Sequence, residues 1–172
     1  GYQVTRGLGK TGVVGSLSKG DSPRTIGLRA DMDALPIHET TGLPWASTVS
    51  RKMHACGHDG HTTILLAAAK YIASPACQFN GTVHLIFQPA EEAIGGADLM
   101  IKDGLFEQFP CERIFGLHNM PGLPVGKLGF YAGNFMASAD TVKITLTGYG
   151  GHGAHPERTV DPIVAGAALV MA

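Results

Sequence analysis

Three short clusters hold most of the residues able to do chemistry. The densest is Met53-His54-Ala55-Cys56-Gly57-His58-Asp59-Gly60-His61. Cys56 and His58 stand two apart with a glycine between them, so in an extended or turned segment both can point at one ion. Thiolate and imidazole are good ligands for zinc and its softer first-row neighbours. A lone Cys is more often a small packed hydrophobe. Three His, one Cys and one Asp this close together favour a metal site instead. Not all of them can bind one ion, and Asp59 can simply cap a following helix. That helix N-terminus would favour a nearby thiolate. The second cluster is Gln88-Pro89-Ala90-Glu91-Glu92. Adjacent side chains on extended backbone point to different sides, so one carboxylate can bind metal while its neighbour reaches a metal-bound water. Taken alone, such a pair is more often a solvated surface feature. The third cluster is Gly116-Leu117-His118-Asn119, where a single His is more often structural. The three together are more persuasive than any one, because each falls just after a strand pattern or at a helix start.

The elements that must position these residues read as follows. Val13–Leu17 and Thr25–Arg29 are short strands joined by the turn cluster Lys19–Pro23, which suggests a hairpin. Asp31–Trp45 is loop-like. Asp59–Ala73 reads as a helix with an apolar stripe of Ile64, Leu65, Ala68, Tyr71 and Ile72, stopped by Pro75. Thr82–Phe87 is the strongest strand, Gly95–Lys102 a short helix, and Arg113–Leu117 a further strand. Leu128–Tyr131 and the alternating Thr141–Thr147 are also expected as strands. Asp161–Ala172 reads as an apolar helix, with Asp161 as cap and Pro162 at its first position. Strands alternating with helices up to about Asn119 predict an α/β fold with a mostly parallel sheet flanked by helices. Open sheets of that kind take ligands at their strands' carboxyl ends, where Glu91-Glu92 and His118 fall.

Composition narrows the possibilities. With 172 residues, 44% hydrophobic and 16% charged, the chain can bury a core. Lys+Arg 13 against Asp+Glu 14 argues against a dedicated nucleic-acid binder. No apolar run approaches the ~20 residues a membrane span needs, so no membrane partner is expected. Three cysteines without a Cys-x-x-Cys pair suit a reducing, cytoplasmic setting better than a disulfide scaffold. Gly1-Tyr2-Gln3-Val4 shows no leader pattern and no initiator Met, so a cut or processed chain is expected. Gly7-Gly9-Gly12 and Gly148-Gly150-Gly153 both match G-x-G-x-x-G, yet neither has the strand, immediate helix and later acid that dinucleotide binding requires. The Gly148–Pro156 segment is left as a mobile loop carrying His152, or a plain glycine turn.

The chain resembles the metal-dependent N-acyl-amino-acid amidohydrolases, a group of metallopeptidase relatives that includes hippurate hydrolases, aminoacylase-like enzymes and auxin-conjugate hydrolases. The marks are Arg29-Ala-Asp31-Met-Asp33-Ala-Leu-Pro36, Met53–His61, Phe87-Gln-Pro-Ala-Glu-Glu92, Gly116–Asn119 and Gly150-Gly-His-Gly-Ala-His-Pro156. The resemblance runs through the whole chain. It implies a di-metal aminopeptidase-like catalytic domain over 1–139 and the beginning of a smaller α+β lid or dimerisation domain over 140–172, both incomplete.

By that resemblance Cys56, His58, Glu92 and His118 are metal ligands for two divalent ions, Zn, Mn, Co or Ni. Glu91 is the general base that activates a metal-bound hydroxide, and Asp33 orients a ligand from behind. His152 reaches the substrate carbonyl. Asp31 stands where wider relatives carry a His ligand, a task that His58 takes over. His54 and His61 shape the loop, and Cys77 and Cys111 are structural. His155 has no assigned role.

The implied function is hydrolysis of the amide bond of small-molecule N-acyl or N-aroyl amino acids, hippurate-like substrates, by a homodimer or higher homo-oligomer. Family members are roughly twice this length, and a further ligand histidine is expected beyond the matched part. The alternative is an inactive, truncated metal-binding fragment whose lid elements mediate association. A plain structural zinc module is disfavoured, since such sites are closed cages rich in Cys.

Overall fold

The computed structural model describes every residue except Ile94. Its contacts fall into two compact units, Gly1–Leu123 and Pro124–Ala172. The division comes earlier than the boundary expected near 139–140.

The first unit runs β1 (Gln3–Leu8), β2 (Gly12–Lys19), β3 (Thr25–Asp31), α1 (His58–Ala73), β4 (Gly81–Gln88), α2 (Gly96–Lys102), α3 (Leu105–Gln108) and β5 (Arg113–Gly116). The strands form one sheet in the order β1-β2-β4-β3-β5. This is the expected α/β class. Parallel pairing is confined to β4-β3-β5, however, while β1, β2 and β4 pair antiparallel.

The expected hairpin between β2 and β3 does not form. β4 lies between them, pairing with β2 from Val13↔Phe87 to Lys19↔Gly81 and with β3 from Thr25↔Thr82 to Asp31↔Gln88. The reason is apolar content: every residue of β4 from Val83 to Gln88 is buried, and a strand buried on both faces belongs at the sheet centre. The Lys19–Pro23 turn therefore crosses over the start of β4. There Asn80 Oδ1 accepts from the Asp21 and Ser22 amides at 2.9 and 2.8 Å. β1 and α3 escaped the pattern reading. Gly7 lies in β1, Gly9 in the β1–β2 turn and Gly12 at the start of β2; a Cβ at Gly9 would lie 2.9 Å from Met100 Cγ and one at Gly12 2.9 Å from Met100 Cε. Gly9 and Gly12 let α2 pack closely, and no phosphate role is needed.

Alternation along β4 builds two apolar layers. Val83, Leu85 and Phe87 pack with Ala30 and with Leu65 of α1. Ile86 packs with Leu8 and Val14, and with Met100 and Leu105 of α2 and α3. The helix after β3 and those after β4 thus cover opposite faces. The crevice such an arrangement opens lies at the carboxyl ends of β3 and β4.

The α1 stripe differs from expectation. Ile64 and Tyr71 are exposed at 49% and 58%, whereas His58, His61 and Leu65 are buried. The buried face therefore runs 58, 61, 65 and 72, and it carries histidines at its N-terminal end.

In the second unit, α4 (Pro162–Met171) starts as expected, with Asp161 Oδ1 accepting from the Ile163 amide at 2.8 Å. The strands expected at 128–131 and 141–147 are not formed. No ladder partner lies opposite them among the described residues, and an extended segment alone leaves its peptide groups to water. A single bridge, Tyr149↔Val160, closes the loop that carries His152.

Candidate metal centre

Three parallel strands deliver the site. Asp31 ends β3, Gln88 ends β4 beside it, and Gly116 ends β5 on the other side. Each is followed within a few residues by a candidate: Asp33, Glu91-Glu92 and His118. Cys56 and His58 come from further off, at the start of α1. The long loop that brings them back is pinned by Leu35 and Met53, whose peptides exchange hydrogen bonds of 2.9 and 3.1 Å.

Gly57 makes the Cys56–His58 spacing work. It caps α1 with φ 82°, with no side-chain cap bond, so Asp59 is not the cap that was expected. Asp59 lies in the first turn instead, where its charge suits the helix dipole. A Cβ at Gly57 would lie 2.6 Å from Asn119 Oδ1. Gly57→Ala therefore combines left-handed strain, about 1–2 kcal/mol, with displacement of Asn119. A lowered denaturant midpoint is the expected result, and an unchanged one would show that the loop relaxes freely.

His58 is 1% exposed. Its Nδ1–H donates to Asp33 Oδ1 at 3.1 Å, which leaves Nε2 a lone pair. That Nε2 is buried and has no hydrogen-bond partner. Buried polar atoms are rarely left so, and an orphan acceptor among other donors fits a cation. Cys56 Sγ lies 3.5 Å from His118 Nε2, and Cys56, His58 and His118 present donor atoms within 4.8 Å of one another. His58, Glu91 and Glu92 form a second such group. The structure thus brings together all four predicted ligands and Glu91 around His58. Asp33 stands behind, also accepting from the Glu92 amide at 3.0 Å. The glutamates do not sit on extended backbone as expected. They lie in a turn after Ala90, whose φ of 51° is unusual for a non-glycine, and so both carboxylates face one centre.

The electrostatics agree. Burial, the largest influence, raises the Asp33 carboxyl, but backbone N–H donors outweigh it and hold it below its ordinary value. Asp31 behaves alike: burial raises it, while the His61 hydrogen bond and the Arg29 charge bring it below. The Cys56 thiol goes the other way, pushed up to about 11 by burial, then by Glu92, Glu91 and Asp31. The helix N-terminus does not make a thiolate here, because burial and then three carboxylates outweigh it. A divalent cation would reverse that balance. Each ion taking Cys56 as thiolate must then displace one proton at any pH below about 11. The apparent metal affinity should rise by about tenfold per pH unit from this group between roughly pH 6 and 8, and Cys56→Ser should remove that slope. Zinc titrations across that range test it.

Two further residues emerge that spacing did not single out as site residues. Asp31 is 1% exposed, with Arg29 at 2.8 Å on one oxygen and His61 Nδ1 at 2.6 Å on the other. Asp31, His58 and His61 form a third, wholly buried group. The helical period of 58, 61 and 65 was the signal that could have placed His61 on the face of His58. His54, by contrast, is exposed. Cys77 and Cys111 are free thiols outside these groups. In the second unit His152 lines a cleft of about 510 Å³, and His155 Nδ1 lies 3.2 Å from Glu157.

The open α/β sheet thus carries thiol, imidazole and carboxylate donors at its carboxyl edge, a set suited to divalent metal ions. The chain belongs to Peptidase family M20/M25/M40, whose profile matches residues 27–171. It is 56% identical to the hippurate hydrolase of Campylobacter jejuni over 172 residues, all of this chain and 44% of that protein. It is 47% identical over 163 residues to the Arabidopsis thaliana IAA-amino acid hydrolase ILR1-like 2, covering 94% of this chain and 36% of the relative. Among solved structures, the YXEP protein of Bacillus subtilis is described as a dinuclear metal-binding peptidase of the M20 family. It superposes with TM-score 0.67 at 42% identity, over 73% of this chain and 35% of its own. The chain spans less than half the length of these relatives.

Proposed function

We propose that the intact protein hydrolyses the amide bond of N-acyl or N-aroyl amino acids, releasing a carboxylic acid and an amino acid. The observation that carries this is the orphan His58 Nε2, which shares one donor group with Cys56 and His118 and another with Glu91 and Glu92. Cys56, His58, Glu92 and His118 would hold two divalent ions, a donor set suited to zinc and to manganese, cobalt or nickel. When bound, the metal supplies Lewis acidity that polarises the scissile carbonyl and acidifies water.

The chain's own residues do the rest. Glu91 takes the proton of the attacking water and returns it to the leaving nitrogen. Asp33 holds the His58 tautomer through Nδ1–H and the Glu92 amide through its second oxygen. His152 belongs to the substrate-binding lid, and the Ala154 amide donates to its Nδ1 at 3.2 Å, which leaves Nε2–H free to donate to a carbonyl oxygen. Similarity to a hippurate hydrolase and to an IAA-amino acid hydrolase supports aroyl and related acyl substrates.

Release of benzoate and glycine from hippurate, with added Zn²⁺ or Mn²⁺ and after chelation, tests the reading. Hydrolysis that depends on metal is expected, and activity surviving full chelation would overturn it. A second reading, a metal-binding association module, draws on the exposed apolar side chains of the second unit, among them Phe130 at 87% and Val170 at 85%. Metal uptake with no hydrolysis of any N-acyl amino acid would favour it.

A further inference from the structure

We infer that His61 is a positioning residue for the metal centre, acting on His118 through the peptide groups of Asn119. The inference rests on the metal-binding reading above. A carboxylate can only accept, so Asp31 Oδ1 at 2.6 Å fixes a proton on His61 Nδ1 and leaves Nε2 a lone pair. The Asn119 N–H donates to that Nε2 at 3.0 Å; Asn119 Oδ1 also lies 2.8 Å from it and, being an acceptor, gains a bond there only with the side-chain amide turned over to present its Nδ2. The Asn119 carbonyl in turn accepts from His118 Nδ1 at 2.7 Å. This sets the His118 tautomer with its Nε2 free, and that atom is the one 3.5 Å from Cys56 Sγ. The His61 ring also stands edge-on to the His118 ring, with centroids 4.6 Å apart.

Arg29 anchors the far end of the relay with a 2.8 Å bond to Asp31 and a 2.8 Å bond to Gln88 Oε1. The line Arg29–Asp31–His61–Asn119–His118 therefore ties β3, α1 and the loop after β5 together. It matters because His118 is itself exposed and follows an edge strand with no sheet neighbour beyond it among the described residues. His58 is held by burial and Asp33. His118 has no such packing and depends on this line. Histidine ligands elsewhere are held by carboxylates or carbonyls in the same way, and losing such a partner typically weakens metal affinity 10–100-fold.

Two substitutions split the relay. In His61→Asn the side-chain amide nitrogen takes the place of Nδ1, keeping the bond to Asp31 and giving up Asn119. In His61→Gln the side-chain oxygen takes the place of Nε2, keeping an acceptor for the Asn119 N–H and giving up Asp31. Co²⁺ is the probe, read in the intact protein by its dissociation constant and by the thiolate-to-cobalt absorption of Cys56. We expect His61→Asn to weaken Co²⁺ by about 10–100-fold while His61→Gln retains most of the affinity. Parent-like affinity in both variants would overturn the inference. So would equal loss in both alongside equally lowered melting temperatures, which is the mark of a merely structural residue.

Should neither variant fold, ¹⁵N spectra of the parent protein decide it. Nδ1–H tautomers at both His61 and His118 support the relay, and Nε2–H at either overturns it. A parent protein that takes up no Co²⁺ defeats the metal reading itself, and the inference falls with it.

Discussion

A Glu91→Gln protein is expected to bind metal as the parent does and to lose hippurate hydrolysis by roughly 10²–10⁴-fold in kcat. Glutamine keeps the shape of glutamate and can still donate or accept a hydrogen bond, but it cannot carry the proton between water and leaving nitrogen. The geometry places this carboxylate well for that task. Its oxygen lies within 4.8 Å of the donor atoms of His58 and Glu92, and its side chain is exposed to solvent. The unusual backbone of Ala90 turns it there. The Glu92 amide donates to Asp33 Oδ2 at 3.0 Å, which ties down the turn. Because that anchoring uses a backbone group, the substitution should leave the turn intact. Steady-state kinetics with metal content measured on the same sample makes the test. Normal kcat would remove Glu91 from the mechanism, and lost metal would make it a ligand.

The second large effect is expected at His58. His58→Asn should keep the donor that meets Asp33 at 3.1 Å while deleting the buried Nε2. Metal affinity should fall by more than the 10–100-fold typical of a supporting residue, because a direct donor is lost. Stability without metal should change by no more than about 1 kcal/mol, since the single hydrogen bond that His58 makes is retained. Isothermal titration with Zn²⁺ and a denaturant melt of the chelated protein separate the two quantities. A large loss of stability with metal affinity unchanged would make His58 a packing residue and leave the centre to the other donors.

Much of this site was legible in the residues themselves. Cys56-Gly57-His58, Glu91-Glu92 and His118 are local patterns that residue type and spacing mark as candidate donors, while the role of each came from the family resemblance. The strong β4 pattern and the capped start of α4 were likewise local, because burial period and side-chain capping depend on near neighbours in the chain.

What needed tertiary structure was everything set by distant pairing. Neighbouring strands looked like a hairpin, but β4 displaced that pairing because its apolar side chains required the middle of the sheet. The turn at Ala90, which aims both glutamates at one centre, depends on Asp33 reaching across from β3. Residues 141–147 alternate like a strand, yet alternation describes a face and not a partner, and no strand forms without one. The Asp31–His61–Asn119 line joins residues 30 and 58 positions apart, and a hydrogen bond over such separations leaves no trace in local spacing. The amino-acid order thus determined which chemical groups this protein possesses and the short units that carry them. Only the folded chain decided which groups meet, because strand order and buried polar bonds are settled by competition among long-range contacts.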